Sequence, residues 1–279
     1  MSDVSREADP RHLSVSSASI YDQCPRRWQF KYVERRPDPK GIPALVGILA
    51  HRILEDLLAL EPIDRTIDNA RIIAARLWPD AVADPDFVAL DLDEQKTRAF
   101  KWDTWRAVEG LWHLEDPAEV DVHSTEQRLS VELAGIPFLG IVDRVDHHGD
   151  GLVVSDYKSG KLPRPRYLPD KLGQVMLYAA ALEAAGEPRP VRTRLLYLGS
   201  QMVETPVTGG AIDKALNGLR STWDALVTAN RTAHFEPSPG PLCGWCPYAA
   251  ACPEGLTEVR NRSARGQIRS SAPALTLVA

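Results

Sequence analysis

The 279-residue chain has only four cysteines and three methionines. It contains no uninterrupted apolar run approaching the roughly 18 residues that a bilayer-spanning helix requires. Residues 1–10 are polar and of mixed charge, so the apolar core of a signal peptide is missing. These absences predict a cytoplasmic protein with no membrane partner. In a reducing compartment four cysteines read as free thiols or metal ligands before they read as disulfides. Positive charge is not in excess: the formal net charge is -5 and the pI about 5.8. That excludes a generally cationic protein but leaves room for a local basic strip that meets phosphate. The phosphate loop G-x-x-x-x-G-K-[ST] is also missing, because Ser159-Gly160-Lys161-Leu162 departs from it on both sides. Any ATP-driven motor must therefore come from a partner. No internal repeat is visible.

What is present suits one large domain, or one domain with a small appendage: 44% of residues are hydrophobic and 25% charged. Residues 1–13 read as a flexible leader. Apolar positions at helical spacing predict a helix over 14–33, with serines at 14, 16 and 17 as candidate N-caps. A second helix is predicted from Pro43 or Ala44 to Leu60, with Leu45, Leu49, Ile53 and Leu57 on one stripe. Further helices are predicted near 64–78, 92–115, 170–185 and 211–229. Residues 123–158 alternate and carry turn signals at Ala134-Gly135 and Gly149-Asp150-Gly151, which predicts a three-stranded meander. Residues 191–207 read as a hairpin. The Pro-, Gly- and Cys-rich segment 233–255 reads as a loop held by something other than a hydrophobic core. The basic, serine-rich residues 256–279 read as a disordered tail.

The strongest chemical signal lies in Gly140-Ile-Val-Asp143-Arg-Val-Asp146 and Leu152-Val-Val-Ser-Asp156-Tyr-Lys158. Side chains alternate along a strand, so Leu152, Val154, Asp156 and Lys158 share a face. The two apolar residues are expected to be buried and the two charged ones to emerge at the strand end. A tight turn at 149–151 makes the two strands neighbours, and Asp143 and Asp156 can then converge on one cation beside a lysine. Hard carboxylate oxygens suit Mg²⁺ or Mn²⁺, and a cation there polarises a phosphate and acidifies water. The lysine can orient or help deprotonate that water, or neutralise charge in the transition state. His51 and Glu55 share a helix face, and the imidazole can complete the metal's coordination. Gln174 and Tyr178 form a similar pair on a later helix. Taken singly, each has an ordinary alternative: strand-end acids in a surface salt bridge, a packing histidine, polar residues on a solvated helix face.

Cys243-x-x-Cys246-x5-Cys252 is a compact group, and Cys24 lies far upstream. The C-x-x-C spacing lets two thiolates grip one metal from a single turn, and a metal would staple a loop that cannot hold its shape alone. Spacing permits either Zn²⁺ or a [4Fe–4S] cluster.

Taken in order, His51, Gly140-x-x-Asp143-Arg-x-Asp146, Asp156-Tyr-Lys158-Ser-Gly and Gln174-x-x-x-Tyr178 resemble the motifs of RecB family exonucleases, within the PD-(D/E)XK nuclease superfamily. The resemblance covers roughly residues 14–255. It implies an α/β, restriction-endonuclease-like core with an N-terminal helical part and a C-terminal cysteine-held clasp. It implies His51, Asp143 and Asp156 as ligands of Mg²⁺ or Mn²⁺, with the Tyr157 main chain as a further ligand. Lys158 is implied as the catalytic lysine, acting with Asp143 and Asp156, and Gln174 and Tyr178 as the last catalytic motif. Glu126 stands where the family sometimes carries an additional acid. The similarity to AddB and CRISPR adaptation nucleases, which place one cysteine before the core and three after it, favours a [4Fe–4S] cluster on Cys24, Cys243, Cys246 and Cys252 over structural Zn²⁺.

The expected substrate is DNA, as single strands or ends, in repair or recombination, with a separate helicase or recombination protein as a partner. The same motifs fit a CRISPR-adaptation-type nuclease, and a catalytically weak DNA-binding accessory subunit of a helicase–nuclease is the alternative from another class. Two basic strips flank the proposed centres. Residues 24–40 hold six basic residues, Arg26 and Arg27 among them, against two acidic ones. Residues 156–171 hold five, with Lys161, Arg164 and Arg166, against two. Trp28, Tyr32 and Tyr167 lie among them and could stack on unpaired bases or pack in the core.

Overall fold

The computed structural model describes residues 11–149 and 151–278. Its elements in chain order are α1 (Val15–Gln23), α2 (Pro25–Trp28), a π-helical turn (Gln29–Val33), α3 (Ile42–Leu58), α4 (Ile67–Ala83), α5 (Pro85–Val88) and α6 (Glu94–Glu109). Then follow β1 (Val122–Leu133), β2 (Ile136–His148), β3 (Gly151–Lys158), α7 (Leu168–Ala184), β4 (Arg192–Tyr197), β5 (Gln201–Pro206), α8 (Gly209–Thr232) and α9 (Pro253–Ala264). The chain divides into two compact units, residues 40–217 and residues 1–39 with 218–279.

In the first unit the five strands form one sheet in the order β1-β2-β3-β4-β5. All neighbours are antiparallel except β3 and β4, which run parallel. A parallel neighbour requires a crossover, and α7 is that crossover. Turns at Ala134-Gly135 and Gly149, where the backbone takes positive φ, close the expected meander; Asp150 lies outside the described residues. One face of the sheet carries α7, whose Val175 packs on Leu195 and Tyr197. The other meets a helical layer of α3, α4, α5 and α6 that forms one core cluster with Tyr157, Leu196 and Leu198. The stripe Leu45, Leu49, Ile53 and Leu57 is buried as its spacing predicts. β3 departs from the prediction of one buried face. Val153, Ser155 and Tyr157 are buried along with Leu152, Val154 and Asp156, because this central strand has helices on both sides.

In the second unit the predicted helix over 14–33 is broken. Ser14 caps α1 through the Ser17 amide, Cys24 takes an extended conformation before Pro25, and a π-turn follows. Trp28 is buried, stacked on Phe235 and edge-on to Tyr21, so it belongs to the core rather than to a base-stacking surface. Tyr32 and Tyr167 keep more exposure. The segment 233–255 is held in part by small apolar clusters, Phe30 with Tyr248 and Cys252, and Ala249 with Val259 and Ala274. The expected disordered tail is instead folded: α9 continues to Ala264, with Val259, Ala272 and Ala274 buried. Its apolar residues are few but converge on one cluster, which composition alone does not reveal. Residues 1–10 of the expected leader lie outside the described residues, while Leu13 is fully buried. No helix among the described residues is long and apolar enough to cross a membrane.

Candidate active site

The β2–β3 register, Arg144 opposite Ser155, places Asp143 and Asp156 at the next facing position. There the Asp143 carboxylate accepts the Tyr157 amide at 2.8 Å, so the side chain takes a donor on the neighbouring strand. His51, on α3, brings Nδ1 to 3.5 Å from the same carboxylate. Glu126 completes the group: ligand atoms of His51, Glu126 and Asp143 lie within 4.8 Å of one another. Glu126 sits inside β1 at φ +45, a left-handed conformation uncommon for a non-glycine residue. The pairing on either side, Thr125 with Arg144 and Gln127 with Val142, is kept, so the strain is confined to the residue that joins the cluster. Asp156 is buried and ion-paired with Lys158.

Burial and the neighbouring Asp156 charge push the Asp143 carboxyl up to about 8, against the opposing Tyr157 amide and Lys158 ammonium. Burial, then Glu55, also raises Glu126. Burial lowers His51, which leaves its imidazole neutral and able to donate a lone pair. Burial would lower Lys158, but Asp156 outweighs it and the amine is held as an ammonium. The Tyr178 hydroxyl is raised by burial and then by Asp156, Asp143 and Glu126, so it stays protonated and can donate a hydrogen bond into the acidic cluster. Gly140 makes room for that ring: a Cβ there would lie 3.3 Å from two ring carbons of Tyr178. Gln174 is half-buried one turn earlier on α7.

These shifts have a consequence for stability. A carboxyl whose folded pKa exceeds its unfolded value stabilises the fold at low pH, and that contribution is lost as pH rises through the folded value. His51 has the opposite displacement, and its effect is complete once pH exceeds the ordinary imidazole pKa of about 6.5. Between about pH 6.5 and 8, Asp143 therefore dominates. Thermal unfolding in the presence of a chelator should show the melting temperature falling across that interval. A flat or rising profile would contradict the electrostatic description.

No side chain on the opposite face of β2 and β3 carries a role expected from sequence; Tyr157 is expected to act only through its main chain. Arg144 is fully buried. It donates to both Glu115 oxygens at 2.6 and 3.0 Å, to Asp146 at 3.0 Å and to the Tyr157 hydroxyl at 2.9 Å. Ser155 donates to Asp146 at 2.9 Å. The Asp-Arg-x-Asp spacing was the only local signal for this network, and Glu115 had none.

The four cysteines are free and share the other unit. Three sulfurs accept backbone amides: Cys24 from Ser238 at 3.5 Å, Cys243 from Gly240 at 3.4 Å and Cys252 from Gly255 at 3.3 Å. A Cβ on Gly255 would lie 3.2 Å from the Cys252 sulfur and 3.8 Å from that of Cys243, so both line one small space. Burial raises Cys246 and Cys252. Arg26 and Arg27 are half-buried in α2, each with an Nε that has no hydrogen-bond partner. Lys161, Arg164 and Arg166 lie between β3 and α7, and Arg166 rests over the ring of Tyr167 at 4.6 Å.

The model of the PD-(D/E)XK nuclease superfamily matches residues 12–253. One subunit of the ATP-dependent helicase/nuclease of Lactiplantibacillus plantarum is 32% identical over 178 residues, which is 59% of this chain and 13% of that relative. The chain thus spans a small part of the curated relative it matches. A crystal structure of a protein assigned as an exonuclease, from Eubacterium rectale, superimposes with a TM-score of 0.53 at 15% identity. It covers 87% of this chain and 90% of that one, and it shares the fold.

Proposed function

This chain belongs to the PD-(D/E)XK nuclease superfamily, and we propose that it hydrolyses DNA phosphodiester bonds with Mg²⁺ or Mn²⁺, on single strands or ends, in repair or recombination. The observation that carries this reading is the convergence of His51, Glu126 and Asp143 beside the Asp156–Lys158 ion pair. A neutral imidazole with carboxylate oxygens is a donor set for a hard divalent cation. His51, Asp143, Asp156 and the Tyr157 carbonyl would hold the ion, with Glu126 added to the set. A bound ion would supply Lewis acidity to the phosphate and to an attacking water. Lys158, held as an ammonium, neutralises charge on the phosphate and orients the water rather than removing its proton. Tyr178, protonated, donates a hydrogen bond toward the cluster, with Gln174 one turn away as a second polar group for the phosphate. A helicase partner is proposed from the similarity to one segment of a helicase/nuclease subunit.

End-labelled single- and double-stranded DNA, incubated with purified protein and Mg²⁺ or Mn²⁺, tests the reading. Cleavage that stops on chelation is the expected result; DNA bound but uncut would leave an accessory role in its place. Lys161, Arg164 and Arg166 form the proposed DNA approach within this unit, and Arg26 and Arg27 a second basic strip in the other. Replacing Arg164 and Arg166 with glutamine should weaken DNA binding. It should also flatten the slope of log K against log salt by about one for each phosphate no longer neutralised. An unchanged slope would remove both residues from the interface.

Cys24, Cys243, Cys246 and Cys252 are proposed to hold a [4Fe–4S] cluster, supported by the amide donors that already face three of the sulfurs. Such a group closes a chain loop of over two hundred residues between Cys24 and Cys243. Anaerobically purified protein should be brown, and Cys246→Ser should lose the colour. A colourless protein containing one zinc per chain would assign the centre to Zn²⁺ instead.

A further inference from the structure

Tyr157 enters the proposed metal site through its main chain. Its side chain has a separate task. The hydroxyl accepts Arg144 at 2.9 Å on the buried face of the sheet, and Arg144 is itself clamped by both oxygens of Glu115 and by Asp146. Arg144 is fully buried, Tyr157 and Asp146 are nearly so, and the Glu115 side chain is largely covered. On the site side, the Tyr157 amide holds the Asp143 carboxylate at 2.8 Å, and its ring meets the His51 imidazole edge-on at a centroid distance of 5.6 Å. One residue therefore connects a rigid buried ion cluster to two of the proposed ligands.

We propose that Tyr157, anchored through its hydroxyl by Arg144 and Glu115, is a positioning residue that sets the orientation of Asp143 and His51 for the divalent ion. The inference rests on the metal-dependent nuclease reading. Its physical content is preorganisation. Groups that orient metal ligands from outside change metal affinity by about 10–100-fold when removed. A phenol that merely fills the core would change stability instead. Tyr157→Phe removes only the hydroxyl, conserves volume and leaves Arg144 paired with both acids. Glu115→Gln loosens the same anchor from its far end without touching the site.

The test is a titration of Mn²⁺ into wild type and both variants by calorimetry, with melting temperatures measured alongside. In Tyr157→Phe the Mn²⁺ dissociation constant should rise at least about tenfold, and in Glu115→Gln it should move the same way by a smaller factor. The cleavage rate should recover toward that of wild type at saturating Mn²⁺. Lowered melting temperatures with an unchanged Mn²⁺ constant in both variants would overturn the proposal, since that is the signature of a purely structural phenol. A wild-type protein that binds no Mn²⁺, or binds it equally well as Asp143→Ala, would instead overturn the metal reading of the site.

Discussion

Lys158→Ala is expected to slow phosphodiester cleavage by about 100–1,000-fold at saturating metal and DNA, the range for removing one preorganised electrostatic group from an active site. The lysine is two-thirds covered and ion-paired with Asp156, and the acids around it hold it as an ammonium. Its charge is therefore fixed before substrate arrives, at the place where a phosphate would gain negative charge. Single-turnover cleavage of end-labelled DNA measures the step directly. The Mn²⁺ constant should remain within a few-fold of wild type, because the lysine is not among the proposed ligands His51, Glu126, Asp143 and Asp156 and touches the set only through its ion pair with Asp156. A variant that still cuts at the wild-type rate would show that Lys158 is a salt-bridge partner and nothing more.

The largest expected effect on stability belongs to Arg144→Met. The side chain fits the same space, but Glu115 and Asp146 lose their cation in a buried setting where Arg144 has no exposure and Asp146 only 2%. Breaking one side of a buried ion pair typically costs about 3–5 kcal/mol. For a chain of this size that corresponds to a drop in melting temperature on the order of 10 °C. The cost should come from the stranded charges rather than the missing arginine, so Arg144→Met combined with Glu115→Gln and Asp146→Asn should regain a substantial part of the loss. A triple variant no more stable than Arg144→Met would place the stabilisation in arginine packing instead. The urea midpoint supplies an independent reading of the same difference.

Much of the sheet was legible because its information is local. The alternation over 123–158 and the glycine-marked turns specify a meander whose strands are close in sequence, and a hairpin register follows from turn position and side-chain parity. Asp143 opposite Asp156 is a consequence of that register, as is Lys158 two residues beyond. The amphipathic stripe of α3 likewise announced which helix would carry His51 and which face it would bury. The order of the motifs was enough for the family, whose model matches residues 12–253.

Other features depend on surfaces brought together from distant parts of the chain. Nothing near Glu115 marks it as the partner of an arginine 29 positions later. Glu126 joins His51 and Asp143 from a backbone that departs from strand geometry, which alternation along β1 does not announce. Trp28 stacks on Phe235, and Ser238 donates to Cys24 across 214 residues; no periodicity encodes either contact. The folded tail has the same origin, since Val259 and Ala274 find each other only when α9 is in place. Period and turn chemistry report interactions between near neighbours, where chain geometry leaves few alternatives. Which acid a buried arginine meets, or which strand residue accepts strain to reach a histidine and an aspartate, is settled by the packing of non-local faces, and that exists only in the folded molecule.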